Sequence, residues 1–307
     1  MAVGSDQAIK TPELLLTGAS SQVGVFVIPR LADAGFRVFA VSRKGKPKTY
    51  PGFAQVEWLN ETDALEAAKS CQYLLSAGPL ELAKKFLQTC RQIKTAVVFS
   101  SSSVETKQQS ANLAERTQIQ DMLSLESGLR AISESRGIKL VIFRPTLIYG
   151  CGLDTNISRL ASRVRRFGFI PVNGRAAGLR QPVHADDLAA AAVTAILSED
   201  DLPRVMRLTG GDTLSYSAMV SKIFNAVGKP VRLLHLPQWL FTLLADIVSI
   251  VKPDGGINSE MVRRQRLDLV FEDRQAREFL NYDPRPFAPV AQDFSLPDFE
   301  KNANKVT

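Results

Sequence analysis

Four consecutive serines, Ser100–Ser103, directly follow the apolar stretch AVVF that ends at Phe99. A hydroxyl both donates and accepts hydrogen bonds, so a serine cluster at the end of a strand is suited to hold a polar ligand beside a reacting group. It can equally hydrogen-bond the turn that follows the strand, which is a purely structural role. The elements around the cluster, and the residues they bring close to it, decide between these two roles.

The stretch LLLTGASSQVG, early in the chain, predicts a dinucleotide-binding turn between a strand and a helix. Gly18 can form the tight turn, and Gly24 allows the helix to pack close to the sheet while its first amides point at a phosphate. Ser21 stands where the usual spacing has a middle glycine, which narrows the approach of a pyrophosphate without blocking it. The alternative is a glycine-containing turn that binds no ligand. The predicted contacts come from Gly18, Ser20, Ser21, Gln22, Val23 and Gly24.

The second apolar strand ends in FAVSRKGK, and this junction predicts which cofactor is preferred. An acid near this point usually binds the free ribose 2′-hydroxyl of NAD, whereas an arginine suits the 2′-phosphate of NADP. Arg43 therefore favours NADP(H) over NAD(H), with a solvated basic loop as the alternative. After the fourth strand, Ser76, Ala77 and Gly78 are small enough to leave room for a flat ligand across the sheet edge.

Short apolar runs alternate with longer amphipathic stretches through the first half of the chain. This alternation predicts βαβ units and hence a parallel sheet with helices on both faces, the doubly wound Rossmann-type α/β arrangement. Runs such as LLL and AVVF are apolar throughout, as burial on both faces requires. We assign residues 1–153 to this dinucleotide-binding domain. Residues 154–307 are assigned mainly to a smaller C-terminal α/β substrate lobe, with residues 181–198 returning to the main domain.

Composition narrows the class of protein. The chain has 307 residues, of which 45% are hydrophobic, and this is enough for a sizeable buried core. The three cysteines and two histidines lack metal-ligand spacing, so we expect no disulfide framework, no metal site and a cytoplasmic location. The net charge of +7 is scattered and forms no basic strip with interleaved aromatic residues, which argues against a nucleic-acid partner.

No segment predicts export or membrane insertion. The N-terminal stretch lacks the charged-then-apolar pattern of a signal peptide. The longest apolar helix-like run, Trp239–Val251, contains Asp246 and is shorter than the roughly 18 residues that a spanning helix needs. We interpret this run as a packed core or dimer segment. The alternatives are the lining of a pocket for a lipid-like substrate and a contact with a membrane surface.

Four stretches together resemble the extended short-chain dehydrogenase/reductase superfamily, the NAD(P)-dependent sugar epimerase/dehydratase group. They are TGASSQVG at the first turn, VVFSSSSVE after the fifth strand, VIFRPTLIYGCG after the sixth and RQPVHADDLA further on. These stretches occur in the family's order and span most of the chain. The resemblance implies a Rossmann-type domain that binds the dinucleotide, with Ser100 and Pro145 at the cofactor, and a C-terminal lobe that binds the substrate.

The family's chemistry uses a serine or threonine after the fifth strand and a Tyr-x-x-x-Lys pair on the next helix, which handle the proton while hydride moves. By the resemblance, Ser101 is the active hydroxyl, but the tyrosine position falls on Gln118 and the lysine position on Met122. Glutamine can hydrogen-bond a carbonyl or a ribose, yet it is no general acid or base near neutral pH. Ser101 and Gln118 are therefore the candidate catalytic residues of an atypical member.

The resemblance also implies contacts to a small-molecule substrate. An arginine placed like Arg180 contacts substrate phosphates in the family, and its planar fork suits bidentate binding of phosphate. Asn156 resembles an asparagine of the substrate lobe. His184 is placed with these substrate residues, with a structural role at a helix start as the alternative. Arg163 and Arg165 are interpreted as part of a solvated helix face.

Three functions remain open. The first is an atypical oxidoreductase, NADP(H)-linked, that acts on a nucleotide-sugar or another small carbonyl or hydroxyl substrate. Its proton source would be one of Glu105, Glu115, His184 or a water held by Ser101 and Gln118. The second is a standard sugar epimerase or dehydratase, against which the missing tyrosine counts, and the third is a non-catalytic NADP(H)-binding sensor or assembly or regulatory protein. By analogy with the family, we also expect a homodimer through the helix that bears Met122 and Leu129.

Overall fold

The computed structural model describes residues 11–43, 45–47, 50, 52–240 and 259–296. The segment Trp239–Val251 lies outside these residues from position 241 onward, so its interpretation stays a prediction. Within the described ranges, no helix is both long enough and apolar enough to cross a membrane.

Strands and helices alternate up to the sixth strand, except that the third strand follows the second without a helix and two helices precede the sixth, and the elements are mixed after the sixth strand. The strands are β1 (Glu13–Thr17), β2 (Arg37–Val41), β3 (Val56–Leu59), β4 (Tyr73–Ser76), β5 (Thr95–Phe99), β6 (Lys139–Pro145), β7 (Ile148–Tyr149), β8 (Ile170–Asn173), β9 (Leu179–Arg180), β10 (Val183–His184), β11 (Val205–Leu208), β12 (Leu214–Ser215) and β13 (Leu233–Leu236). The helices are α1 (Gly24–Asp33), α2 (Glu61–Ala67), α3 (Leu80–Thr89), α4 (Ser103–Thr106), α5 (Leu113–Arg136), α6 (Ile157–Phe167), α7 (Ala185–Leu197), α8 (Tyr216–Ala226), α9 (Ser259–Arg264) and α10 (Arg274–Leu280), with a 3₁₀ turn at Ala291–Phe294.

Seven of the described strands form one parallel sheet in the order β11-β6-β5-β4-β1-β2-β3. This arrangement confirms the predicted doubly wound Rossmann-type α/β fold. The strand order reverses between β1 and β4, and open α/β sheets bind ligands in the crevice at the carboxyl ends of such strands. The edge strand β11 lies in the range assigned mainly to the substrate lobe, yet it pairs with β6 from Val205↔Ile142 to Leu208↔Pro145.

The helices cover the sheet in two layers. Leu14 and Leu16 of β1 belong to one buried layer and Leu15 belongs to the other, because successive side chains of a strand face opposite sides. Helices α1 and α7 pack on each other in the first layer, and α3 and α5 pack on each other in the second. The segment that forms α7 therefore covers the main sheet, although it follows the first part of the lobe in the chain.

Leu129 of α5 is fully buried in the second layer, and Met122 packs against the same layer. Leu129 is thus enclosed within one chain, while other positions of α5, among them Gln118, are exposed. A homodimer through this helix stays a prediction.

The smaller lobe has its own apolar core between α6 and α8, which pack on each other. Two pairs of short strands also belong to this lobe: β8 and β13 pair in parallel, and β9 and β12 pair antiparallel. The β7–β10 pair connects the end of the main sheet to the start of α7. This connection places α6 and α8 beside the carboxyl ends of β5 and β6.

Candidate functional site

A cleft of about 610 Å³ opens at the carboxyl ends of β5 and β6, between the sheet edge and the smaller lobe. Its lining brings together six residues predicted from the sequence, namely Gln22, Ser100, Ser101, Pro145, Asn156 and Arg180. In the described part of the chain, Gln118, Met122 and His184 are not among its lining residues. Gln118 is exposed on α5, and Met122 is half-buried against the second apolar layer.

The first turn has room only for glycine at two positions. Gly18 has φ +69°, and a Cβ built on it would lie 2.5 Å from the backbone of Ala77. A Cβ on Gly24 would lie 2.2 Å from the carbonyl oxygen of Gly18. Both glycines are therefore required for the close packing of β1, α1 and the end of β4, which is the packing that a dinucleotide-binding turn needs.

Hydroxyl groups complete this turn. The Gly24 N–H donates to Ser21 Oγ at 3.1 Å, so Ser21 caps the start of α1 and still has its own proton to donate. Ser20 Oγ and Ser42 Oγ lie 2.8 Å apart and join the turn to the end of β2. Gln22, which lines the cleft, has a buried Oε1 without a hydrogen-bond partner in the described structure. A buried amide oxygen of this kind fits a site that a ligand with donor groups completes.

The ends of β2 and β4 border the same turn. Arg43 directly follows the buried Ser42 and its side chain is exposed, so a charged group that lies over the end of β2 can reach it. At the end of β4, Thr17 Oγ1 donates to Ser76 Oγ at 2.7 Å, and the Ala77 N–H donates to the Thr17 carbonyl at 2.9 Å. These bonds hold the ends of β1 and β4 together at the point where the strand order reverses.

The serine cluster divides into two roles. Ser100 Oγ donates to Glu126 Oε1 at 2.5 Å, which ties the end of β5 to the middle of α5. Ser101 Oγ accepts from the Ser103 N–H at 3.1 Å and lines the cleft. Because it is the acceptor in that bond, Ser101 has its own proton left to donate to a ligand.

A buried ion cluster lies behind the serines. Glu126 is fully buried and accepts from Arg144, which also donates to Glu105 at 3.1 Å. Arg207 of β11 donates to the same Glu105 carboxylate at 3.0 Å. Burial alone would raise the pKa of Glu105, but the guanidinium groups of Arg207 and Arg144 outweigh it and lower this pKa. Glu105 is therefore an anion at neutral pH and cannot donate a proton there.

Glu115, at the start of α5, is held in the same manner but lines the cleft. Arg264 of α9 donates to both of its carboxylate oxygens, at 2.7 and 2.9 Å, and Ser110 Oγ donates at 2.7 Å. Burial opposes ionisation of Glu115, but Arg264, Ser110 and Lys107 together lower its pKa to about 2. Two of the proposed proton donors, Glu105 and Glu115, are thus carboxylates already neutralised by arginine.

His184 serves the start of α7. Its Nδ1 accepts from the Asp186 N–H at 3.1 Å, so the ring proton lies on Nε2, which faces Asp293 Oδ1 at 3.4 Å. A Cβ on Gly150 would lie 2.5 Å from this Nε2, so the ring is closely enclosed. The geometry matches the structural role considered as the alternative for this histidine.

The lobe side of the cleft is basic. Arg159 and Arg163 of α6 line it together with Arg180, and this placement shows that the interpretation of Arg163 as solvated helix surface is wrong. Burial lowers the pKa of Arg163, and the charge of Arg159 lowers it further. Arg165, in contrast, is exposed, and its guanidinium lies 5.5 Å from the centre of the Phe294 ring.

Arg180 is the most enclosed of these cations. It is only 7% exposed, and its guanidinium donates to the carbonyls of Leu179, Leu267 and Arg264 at 2.6–2.8 Å. The ring of Tyr216 lies 5.6 Å from the guanidinium carbon. Burial lowers the pKa of Arg180. Carbonyls and a ring solvate a cation but do not neutralise it, so an anion that enters the cleft gains favourable electrostatic energy here.

Sequence reasoning missed Tyr216 and Arg264 as cleft residues. Tyr216 begins α8 and reads in the sequence as one more apolar core position. Arg264 meets Glu115 across 149 positions of chain, and no local pattern signals such a pair. In the described residues, no group of three histidine, cysteine or acidic side chains is placed to hold a metal ion.

No protein-family model matches the chain. A UDP-glucose 4-epimerase of Vibrio cholerae is 25% identical over 159 residues, which are 52% of this chain and 46% of that protein. The chain thus matches less than half the length of this curated relative.

Solved structures match over almost the whole chain. The UDP-glucuronic acid 4-epimerase of Bacillus cereus, in complex with UDP-glucuronic acid and NAD, has a TM-score of 0.68 at 15% identity and covers 95% of this chain and 99% of its own. The epimerase Mth375 of Methanothermobacter thermautotrophicus has a TM-score of 0.70 at 14% identity, with 96% and 94% covered. MoeE5 in complex with UDP-glucuronic acid and NAD has a TM-score of 0.66 at 18% identity, with 95% and 99% covered.

At these identities the structural likeness shows the fold, while the sequence match covers about half of the chain. The chain has the fold of these epimerases, and its predicted resemblance to the sugar epimerase/dehydratase group is confirmed.

Proposed function

We propose that this protein binds NADP(H) at the carboxyl ends of β1, β2 and β4 and acts as an atypical oxidoreductase of the epimerase/dehydratase type on a phosphorylated small molecule, such as a nucleotide-sugar. The observation that carries the proposal is the single cleft that joins Ser101 at the sheet edge to the basic side of the lobe. In this proposal, residues 1–153 form the cofactor domain and residues 154–307 mainly bind the substrate.

The cofactor assignment rests on the first turn. Gly18 and Gly24 allow the approach of a pyrophosphate to the start of α1, and the Ser21 hydroxyl has its proton left to donate to it. The buried Oε1 of Gln22 accepts hydrogen bonds and therefore suits a donor group of the ligand, such as a ribose hydroxyl. Arg43 directly follows β2, where an arginine suits a 2′-phosphate, and this supports NADP(H) rather than the NAD present in the Bacillus cereus epimerase and MoeE5 structures. When bound, the cofactor supplies the hydride chemistry.

The substrate assignment rests on charge. Arg159, Arg163 and Arg180 border the cleft on the lobe side, and Arg180 is desolvated without a carboxylate within its hydrogen bonds. A phosphate or pyrophosphate accepts from several guanidinium donors at once, so it fits this end of the cleft. Asn156, at the start of α6, lines the same end and is available to a sugar or base. Two of the similar structures contain UDP-glucuronic acid, which has this combination of groups.

Proton transfer must differ from that of the wider family. Gln118 and Met122 replace the usual pair, and Glu105 and Glu115 are ionised at neutral pH. We assign the hydrogen bond to the reacting oxygen to Ser101, with a water molecule on its hydroxyl as the proton carrier. Gln118 does not line the cleft in the described structure, and its role in proton transfer stays a prediction. Since loss of a general acid or base costs about 10² to 10⁴ in rate, turnover should be slow.

The alternative is a binder without turnover, and the same ionised carboxylates favour it. The test is NADPH oxidation, and separately the formation of epimers, with a panel of nucleotide-sugars and their keto derivatives. For an enzyme, Ser101→Ala should lower kcat, Arg163→Gln should raise KM at least about tenfold, and Arg165→Gln should leave both unchanged. Tight NADP(H) binding with no turnover on any panel member would replace the enzyme proposal with the binder.

A further inference from the structure

Two stretches of the smaller lobe contain positive charges and no acidic residue. They are residues 165–175 and 229–240, which surround and include β8 and β13, and we call them together the outer ribbon. Their charged residues are Arg165, Arg166, Arg175, Lys229 and Arg232, and all five are exposed. The ribbon lies away from the cleft lining, so these charges are additional to those proposed for the substrate.

The same ribbon exposes large apolar side chains. In parallel pairing, Ile170 lies beside Leu233 and both face the core of the lobe, so Phe169, Pro171 and Leu234 point outward. The exposed fractions are 56% for Phe167, 44% for Phe169, 45% for Val231, 49% for Leu234 and 69% for Trp239. Single exposed apolar residues need no explanation, but a group on one small ribbon does.

We propose that the outer ribbon binds the surface of an anionic lipid bilayer. Aromatic and aliphatic side chains rimmed by arginine and lysine suit this surface, because the rings enter the boundary between headgroups and acyl chains while the cations meet anionic headgroups. The guanidinium of Arg166 lies 5.1 Å from the centre of the Phe167 ring, so a positive charge and an apolar ring are neighbours on this surface. Because neither stretch contains an aspartate or a glutamate, no carboxylate of the outer ribbon repels the anionic headgroups.

The sequence that follows the ribbon agrees with this partner. From Trp239 the chain continues WLFTLLADIVSIV, which has one charged residue in thirteen. An acidic protein or a nucleic acid would also be attracted by these cations. The exposed Phe167, Phe169, Leu234 and Trp239 beside the cations favour a lipid bilayer, which accommodates apolar side chains. The proposal does not depend on the proposed function, since none of the ribbon residues lines the cleft.

Co-sedimentation of the full-length protein with vesicles tests the proposal. We expect binding to vesicles of phosphatidylcholine mixed with phosphatidylglycerol, and little binding to phosphatidylcholine alone. The double variant Arg166→Glu/Arg232→Glu should lower the apparent affinity by at least about tenfold, since each basic residue near such a surface contributes about a fivefold factor. Phe169→Ser/Leu234→Ser should lower it by at least about tenfold as well, because two large apolar side chains no longer enter the boundary between headgroups and acyl chains. Matched controls on the main domain are the exposed Leu197→Ser and the double variant Arg91→Glu/Lys94→Glu, which should bind as the unchanged protein does.

Three outcomes would overturn the proposal. They are equal binding to neutral and anionic vesicles, unchanged binding by either ribbon variant, and binding to single-stranded DNA or heparin that matches vesicle binding and survives Phe169→Ser/Leu234→Ser. Thermal unfolding of each variant shows whether it is folded, and NADPH binding to the ribbon variants should equal that of the unchanged protein.

Discussion

The proposed preference for NADP(H) rests on Arg43. Its side chain is exposed directly after β2, and Ser42 beside it is bonded to the first turn through Ser20. Replacing Arg43 with aspartate removes the partner of a 2′-phosphate and supplies an acceptor for a free 2′-hydroxyl.

We expect NADPH to raise the melting temperature of the unchanged protein more than NADH does, and Arg43→Asp to abolish or reverse this order. Lys46→Asp makes the same charge change at an exposed position three residues further on, so it controls for net charge. Equal insensitivity of the unchanged protein to both nucleotides would contradict the cofactor assignment.

The residues of the candidate site differ in how far sequence could predict them. Gly18, Gly24 and Ser101 could be predicted from the sequence, because the residues around a tight turn or a strand end follow a recognisable local motif. Arg163 was misassigned because helical periodicity identifies the core face, here Leu160 and Val164, but does not distinguish a face on solvent from a face on a cleft. The pairing of Glu115 with Arg264 is a product of tertiary folding, and no spacing rule predicts it.

At the level of elements, the packing of α1 against β1 limits what the first turn can tolerate. A Cβ on Gly24 would meet a backbone oxygen at 2.2 Å, and backbone cannot move aside as a flexible side chain can. Gly24→Ala should therefore lower the free energy of unfolding by about 1–3 kcal/mol, as overpacking generally does, and should weaken NADP(H) binding by displacing the start of α1.

Gly128→Ala in α5 is the matched control. The added methyl group would meet only the flexible end of Lys84, at 3.2 Å, and alanine favours a helix interior over glycine by about 1 kcal/mol. This variant should be as stable as the unchanged protein or more so in chemical denaturation. If Gly24→Ala were equally well tolerated, the close approach of α1 to the strand would not be a requirement of the fold.

Elements of the first half could be predicted because alternating apolar strands and amphipathic helices indicate a parallel sheet covered by helices. The later elements could not. Strands β7, β9, β10 and β12 have two residues each, too few for any period to be recognised. Strand β11 returns to the main sheet after α6, α7 and several short strands, and its four residues give no sequence signal that they pair with β6.

At the scale of the whole molecule, one ion pair joins the two parts of the protein across the cleft. Glu115 belongs to α5 on the main sheet and Arg264 to α9 in the smaller lobe, and both side chains are about 15% exposed. Because Arg264, Ser110 and Lys107 lower the pKa of Glu115 from 4.5 to about 2, the folded state binds this proton less readily than the unfolded chain. The stabilisation is complete above about pH 4.5 and is lost as the pH falls toward 2.

Glu115→Gln should therefore flatten the pH dependence of stability between about pH 4.5 and 2, and lower stability at pH 7 because the charge-assisted hydrogen bonds between Arg264 and the Glu115 carboxylate are lost. Denaturant unfolding over this pH range measures the effect. The control Glu81→Gln, at an exposed position of α3, should reproduce the profile of the unchanged protein. If Glu115→Gln did the same, the contact between α5 and α9 would not stabilise the folded chain. The attachment of the lobe to the sheet would then rest on its other contacts, including those made by α7 and β11.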